Sequence, residues 1–271
     1  MKQGIGIAVV LLALVGAGLC ASATMTVVAT HAVLGEFVQA VGGDLVNVVT
    51  IIPSGFCPAN YDLRPSDIAA VAHASLVIYS GFEPWMTTLL SGVGNKSVET
   101  LQLKGDWNTP DSAAAKIDTI EKTLAALLPG EEQTLATNAT TYKDALQSLS
   151  TSLSEQAETL CLGDIPVICM QWQASFVSWL GFDVVATYGI PTNLSIQDLV
   201  GLARTGKEKK VRMVIDNLQS GIDFGAKLAY EVGAVHVVLS NFPGAMPGTA
   251  TVLDLFRRNA DSLFTAIETI E

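Results

Sequence analysis

Residues 131–160 read EEQTLATNATTYKDALQSLSTSLSEQAETL, thirty residues containing neither glycine nor proline. Leu135, Tyr142, Leu146, Leu149, Leu153 and Leu160 recur there at spacings of three, four and seven, which gathers them on one face of an α-helix. At the rise of an α-helix this stretch reaches about 45 Å. That is long enough to span one domain and join it to another, so the stretch predicts a rod between two units.

The sequence on either side supplies those units. Toward the N terminus, Pro129-Gly130 ends a preceding helix that opens at Thr109-Pro110, an N-cap residue followed by proline at the first helical position. Further back, β-rich runs at Thr26–Ala29, Val46–Ile52, Ser75–Tyr79 and Val98–Leu103 alternate with helical patterns near Leu34–Val41, Pro65–His73 and Glu83–Leu90. Toward the C terminus, runs at Pro166–Met170, Asp183–Thr187, Val211–Asp216 and Val235–Leu239 repeat the alternation. Ser195 with Asp198 forms a capping box before a helix near Leu199–Lys207, Gly233 suits a helix C terminus, and a last helix starts near Thr249. Strands alternating with helices, and apolar on both faces, predict parallel sheets covered by helices. The expected fold class is α/β, with two lobes of four mainly parallel strands and flanking helices, joined by one long rigid helix. The expected division is 24–130 for the first lobe, 131–160 for the linking helix and 161–271 for the second lobe.

With this organisation the chain resembles the metal-ion class of ABC solute-binding proteins, the zinc and manganese receptors whose lobes are joined by one rigid helix. The phrases that carry the resemblance are Val27-Val28-Ala29-Thr30 with Leu34-Gly35-Glu36-Phe37-Val38, and Ile52-Pro53-Ser54-Gly55 with Tyr61 and Pro65-Ser66-Asp67-Ile68. Ser75-Leu76-Val77-Ile78-Tyr79 ahead of Gly81-Phe82-Glu83-Pro84-Trp85 extends it, and Leu180-Gly181-Phe182-Asp183-Val184-Val185 matches less sharply. The resemblance implies capture of a small solute or metal ion outside the membrane and delivery to an ABC permease and its ATPase. It also implies four metal ligands, and these are missing. The two family histidines of the first lobe fall on Ala59 and Gly105, the histidine of the second lobe falls on or near Met170, and the last carboxylate falls near Ser240 or Asn241.

In open α/β sheets a ligand sits off the carboxyl ends of the strands. Cys57 follows the second strand, and Cys169 with Met170 ends the fifth. Thiolate and thioether prefer soft ions, so Cys57, Cys169, Met170 and the strand-end carboxylate Asp216 form a candidate set for copper or zinc. Cysteine and methionine at such positions are equally ordinary core residues, and Asp216 equally suits a helix cap. No firm cofactor follows. Amides and aromatic rings fall at the same strand ends: Cys57, Asn60, Tyr61, Trp107, Gln171, Trp172, Asn217, Gln219 and Asn241 are the candidate cleft residues. Such uncharged donors and acceptors suit an organic solute or a metal chelate as well as an ion. His31, just past the first strand, is a further candidate for ligand contact. Cys57 and Cys169 are the pair expected to oxidise if the lobes close, and none is expected between Cys161 and Cys169.

Residues 1–23 carry one lysine, an apolar run and Ala21-Ser22-Ala23, a signal-peptide pattern with cleavage expected after Ala23. Cys20 makes a lipid anchor the rival reading. The formal charge of −11 becomes −12 once Lys2 is removed. An acidic chain argues against nucleic acid and against an anionic membrane surface as partners. Sequons at Asn95, Asn138 and Asn193 fit an exported surface, in the periplasm or on the outer face of the cell membrane. No nucleophile elbow, phosphate loop, H-E-x-x-H or Cys-x-x-Cys is present, so binding rather than catalysis is expected, from a monomer. A receptor for an organic solute or chelate, or a surface adhesin on the same fold, is the alternative.

Overall fold

The computed structural model describes residues 24–95 and 97–270. The expected signal peptide, with Cys20, lies outside them. The first lobe runs β1 (Met25–His31), α1 (Ala32–Gly42), β2 (Val46–Ile52), α2 (Pro65–Ala72), β3 (Leu76–Tyr79), α3 (Met86–Gly92) and β4 (Glu99–Gln102). Helices α4 (Pro110–Leu127) and α5 (Glu132–Thr159) follow. The second lobe runs β5 (Pro166–Met170), α6 (Ala174–Trp179), β6 (Asp183–Tyr188), α7 (Ile196–Glu208), β7 (Met213–Asn217), α8 (Asp223–Val232), β8 (Val235–Leu239) and α9 (Val252–Glu268).

Each lobe holds one parallel sheet, in the order β2-β1-β3-β4 and β6-β5-β7-β8. The two orders are the same design. In each, chain direction across the sheet reverses once, between β1 and β3 and between β5 and β7, which opens a crevice at the carboxyl ends of those strands.

Strand alternation decides what packs where. Val27 and Ala29 of β1, Val167 and Cys169 of β5, and Met213 and Ile215 of β7 face one continuous apolar core that also takes in α1, α4, α5 and α9. Val28 and Val77 face a second core beneath α2 and α3, and Ile168, Met170 and Val214 a third beneath α7 and α8. Helix α5 buries Leu135, Leu146, Leu149 and Leu153 in the shared core, at about 1.5–3 kcal/mol per leucine. The helical periodicity of 131–160 therefore describes one unbroken helix whose apolar face belongs to both lobes.

Several boundaries shift by one to three residues from expectation, and the side chains around two helix starts explain where those helices begin. Helix α3 begins at Met86 instead of Glu83, because the Glu83 carboxylate accepts from the backbone N–H groups of Ser80 and Gly81 and holds the preceding turn. Helix α9 begins at Val252 because Thr251 and Asp254 form its capping box.

Candidate ligand-binding cleft

The loops leaving seven of the eight strands enclose a cavity of about 540 Å³ between the lobes. Cys57 to Ala59 follow β2, Phe82 follows β3, and Gly105 to Asn108 follow β4; from the other side come Gln171, Trp172 and Ser175, then Ile190, then Asn217, Gln219 and Ser220, then Asn241 and Phe242. Three hydrogen bonds tie the two walls. Trp107 Nε1 donates to the Asn241 carbonyl at 3.2 Å, Asn108 Nδ2 to the Trp172 carbonyl at 2.9 Å, and Gln219 Nε2 to the Ser54 carbonyl at 3.1 Å.

Seven of the candidate cleft residues line this cavity: Cys57, Trp107, Gln171, Trp172, Asn217, Gln219 and Asn241. Two do not. Asn60 is exposed on a turn outside it, and Tyr61 is buried in the second core with its hydroxyl donated to Asp67 at 2.9 Å.

The expected soft-metal set is dispersed by alternation along the strands. Cys169 points into the shared core, where burial pushes its thiol up to about 12, so it is held as a thiol. Met170 points the other way, into the third core, and its sulfur accepts the Trp172 N–H at 3.3 Å. Asp216 is fully buried, where it accepts from the Tyr188 hydroxyl and faces His236 Nε2 at 2.8 Å. Gly225 of α8 lies against that carboxylate, leaving it room that a Cβ would fill. Asp216 thus neither lines the cavity nor caps α8. Cys57 alone of the four stays at the cleft. Cys57 and Cys169, the pair expected to oxidise on lobe closure, are both free, as is Cys161. Among the described residues no three His, Cys, Asp or Glu side chains come together as a metal-holding group.

Under the floor lies a second polar layer. His31 ends β1, is 1% exposed, and packs against the rings of Trp107 at 4.7 Å and Phe242 at 5.1 Å. Neither ring nitrogen meets a protein partner among the described residues. Burial holds the imidazole well below its usual range, against the pull of the nearby Glu83 carboxylate, so it is neutral. Glu83 is itself buried; desolvation opposes its ionisation, but hydrogen bonds from Thr30 and Ser80 and the nearby His31 leave it below the usual carboxylate range.

Residue-by-residue reading of strand ends missed Phe82, Asn108 and Phe242. Phe82 stands edge-on to Trp107 and to Trp172, at 5.9 and 5.4 Å, and so bridges indoles of opposite lobes. Its signal was present in the Gly81-Phe82-Glu83-Pro84-Trp85 phrase, which marks a loop after β3 at the reversal point of the sheet.

The description "zinc-uptake complex component A periplasmic" belongs to the family model that matches residues 27–266. The chain is 24% identical over 191 residues to the metal ABC transporter substrate-binding lipoprotein ScbA of Streptococcus cristatus, covering 58% of this chain and 62% of that one. It is 25% identical over 166 residues to the zinc-binding lipoprotein AdcA of Streptococcus pneumoniae, covering 50% and 33%. These matches therefore span less than two thirds of either relative's own length. In fold it is similar to the Mn-bound periplasmic metal binding protein of Candidatus Liberibacter asiaticus, with a TM-score of 0.79 at 18% identity over 92% of this chain and all of that one.

Proposed function

The chain belongs to the family of the periplasmic zinc-uptake component ZnuA, and from that premise we propose that it is the exported solute-binding component of an ABC importer in metal-ion uptake. One observation carries the reading. The positions onto which the family resemblance carries the metal ligands converge on the cavity: Ala59, Gly105 and Asn241 line it, and Met170 lies beneath it, bonded to the lining residue Trp172. That convergence supports a binding site at the family's place in the fold, lined by different side chains.

The protein binds and releases; it does not turn over its solute. It acts as a monomer of two lobes, 24–130 and 161–271, on either side of the linking helix 131–160. Because the core shared by α1, α5 and α9 crosses from lobe to lobe, opening and closing is a small tilt rather than a wide hinge swing. The partners are a membrane permease and its ATPase, reached from the outer side, with the chain free or held by a lipid on Cys20.

The test is ATP hydrolysis by the cognate permease–ATPase pair, reconstituted in lipid nanodiscs. The mature protein is expected to raise the rate several-fold in a saturable manner. Unchanged hydrolysis at saturating protein would refute the transport role.

A further inference from the structure

Resting on the transport reading, the cleft's charge and its rings narrow the cargo. Among the described residues, two that line the cavity are ionisable, Cys57 and Asp106, and no lysine, arginine or histidine lines it. Asp106 is exposed at the rim, where its Oδ1 already accepts the backbone N–H groups of Trp107 at 2.8 Å and Asn108 at 3.0 Å. Lys116, the buried cation nearest this floor, donates to the Lys104 carbonyl at 2.8 Å and does not reach the cavity. An anion entering this space leaves water without gaining a counter-charge, and that desolvation opposes its binding; the one carboxylate that a cation would meet, Asp106, stands at the rim with one oxygen already engaged. A bare cation meets a further obstacle: it requires a shell of several converging anionic or strong donors, and the described residues assemble no such group of His, Cys, Asp or Glu side chains.

What the cavity does offer is ring surface and amides. Phe82 is 38% exposed and Trp172 half-buried, standing nearly perpendicular to each other across the mouth at 5.4 Å. The Gln171 amide is exposed beside them, and no hydrogen bond among the described residues engages it. A space of about 540 Å³ lies within the range of organic-ligand sites and is many times the volume of a single ion.

We propose that the cleft takes an uncharged molecule with a planar conjugated face, stacked on Trp172, edge-on to Phe82, and read at its rim by Gln171. Such chemistry comes from two sources: a metal-free organic solute, or a metal already wrapped in a neutral organic chelate.

A matched pair of dyes tests the claim on the mature protein. Phenylnaphthylamine is neutral, and anilinonaphthalene sulfonate is the same ring system carrying a negative charge. The neutral dye is expected to bind one to one in the cleft, and the sulfonate at least about ten-fold more weakly. Trp172→Ala is expected to weaken the neutral dye roughly ten-fold through loss of one ring face, in a protein that still unfolds cooperatively, whereas Tyr230→Ala, on the exposed surface of α8 and outside the cleft lining, leaves dye binding unaltered. Equal binding of the two dyes, absence of neutral-dye binding, or indifference to Trp172→Ala overturns the proposal. So does one-to-one binding of Zn(II) or Mn(II) at submicromolar concentration by the stripped protein. Native mass spectrometry of the protein from its own cells separates the sources: a ligand mass with a transition-metal isotope pattern marks a chelate, and one without it marks a free organic solute. Failure of the dye arms while ATPase stimulation persists would remove the cargo class and leave the transport role standing.

Discussion

Glu36 makes the sharpest test of how the lobes are held together. It lies on α1 of the first lobe, accepts from the Tyr142 hydroxyl of the linking helix at 2.7 Å, and accepts from the N–H of Val252, the first residue of α9, at 2.6 Å. Burial pushes its carboxyl from 4.5 up to about 7; the two donors oppose the rise and Asp254 adds to it. Between those two values the folded protein binds more protons than the unfolded chain, so this group's contribution to stability is complete below about pH 4.5 and is lost as the pH climbs to about 7. The full interval is worth about 3 kcal/mol, and residual solvent access reduces it to about 2 kcal/mol. Glu36→Gln keeps a carbonyl for Val252 and never ionises. It is expected to match the parent within about 0.5 kcal/mol at pH 4.5 and to exceed it by about 2 kcal/mol at pH 8, raising the melting temperature there by about 4–8 °C. Calorimetric unfolding at pH 4.5, 6 and 8, in parent and variant, reads both the difference and its slope. A variant that is no more stable than the parent at pH 8, or whose advantage does not grow with pH, would refute the reasoning.

Other outcomes follow from the buried polar groups. Gly225→Ala, helpful by about 1 kcal/mol in an ordinary helix, is expected instead to destabilise by about 2 kcal/mol, because its methyl group meets the Asp216 carboxylate; urea unfolding reads the sign, and a stabilised variant removes the close packing from the account. Asp216→Ala strips the acceptor from Tyr188 and His236 and is expected to lower stability by about 2–4 kcal/mol without changing the affinity of the cleft; weakened ligand binding at constant stability would make Asp216 a ligand after all. Burial keeps His31 neutral below its ordinary 6.5, so the unfolded chain gains its proton first and stability falls as the pH drops below about 6.5. His31→Phe should flatten that acid limb in pH-dependent melting, and an unchanged limb contradicts it. In a thiol assay on the mature native protein, Cys57 and Cys161 are expected to react while Cys169, buried and held as a thiol, waits for denaturant; rapid reaction of all three would place Cys169 wrongly.

The architecture could be read early because it depends on repeated, local signals. Val46–Ile52, Pro166–Met170 and Val235–Leu239 are found as read, and Ser195 with Asp198, and Gly233 at φ 74°, end their helices as their chemistry requires. Each signal involves residues within a few positions of one another, and backbone geometry alone sets their meaning. The same holds for the position of the cleft. Parallel strands carry their carboxyl ends to one edge, so knowing the strands places Trp107, Gln171, Asn217 and Asn241 near one space before any side chain is oriented.

The chemistry of that space depends on something no strand boundary supplies: where each strand-end side chain finds its partner. Cys169 and Met170 are adjacent at the end of β5, and alternation sends them to opposite faces of the sheet, so at most one was free to look along the strand into the cleft. Met170 is then drawn back by the Trp172 N–H, which its sulfur accepts. That bond helps fix the turn after β5, and the turn sets Trp172 at the cavity with Gln171 beside it. The contact that withdraws a soft ligand from the cleft is therefore the contact that presents a ring in its place. Asp216 follows the same logic, since Tyr188, His236 and the space left by Gly225 draw its charge beneath the helices, leaving the amide of the next residue, Asn217, at the cavity. A cleft lined mainly by rings and amides thus results where Met170 and Asp216, the strand-end groups best suited to hold a metal, are satisfied inside their own lobe.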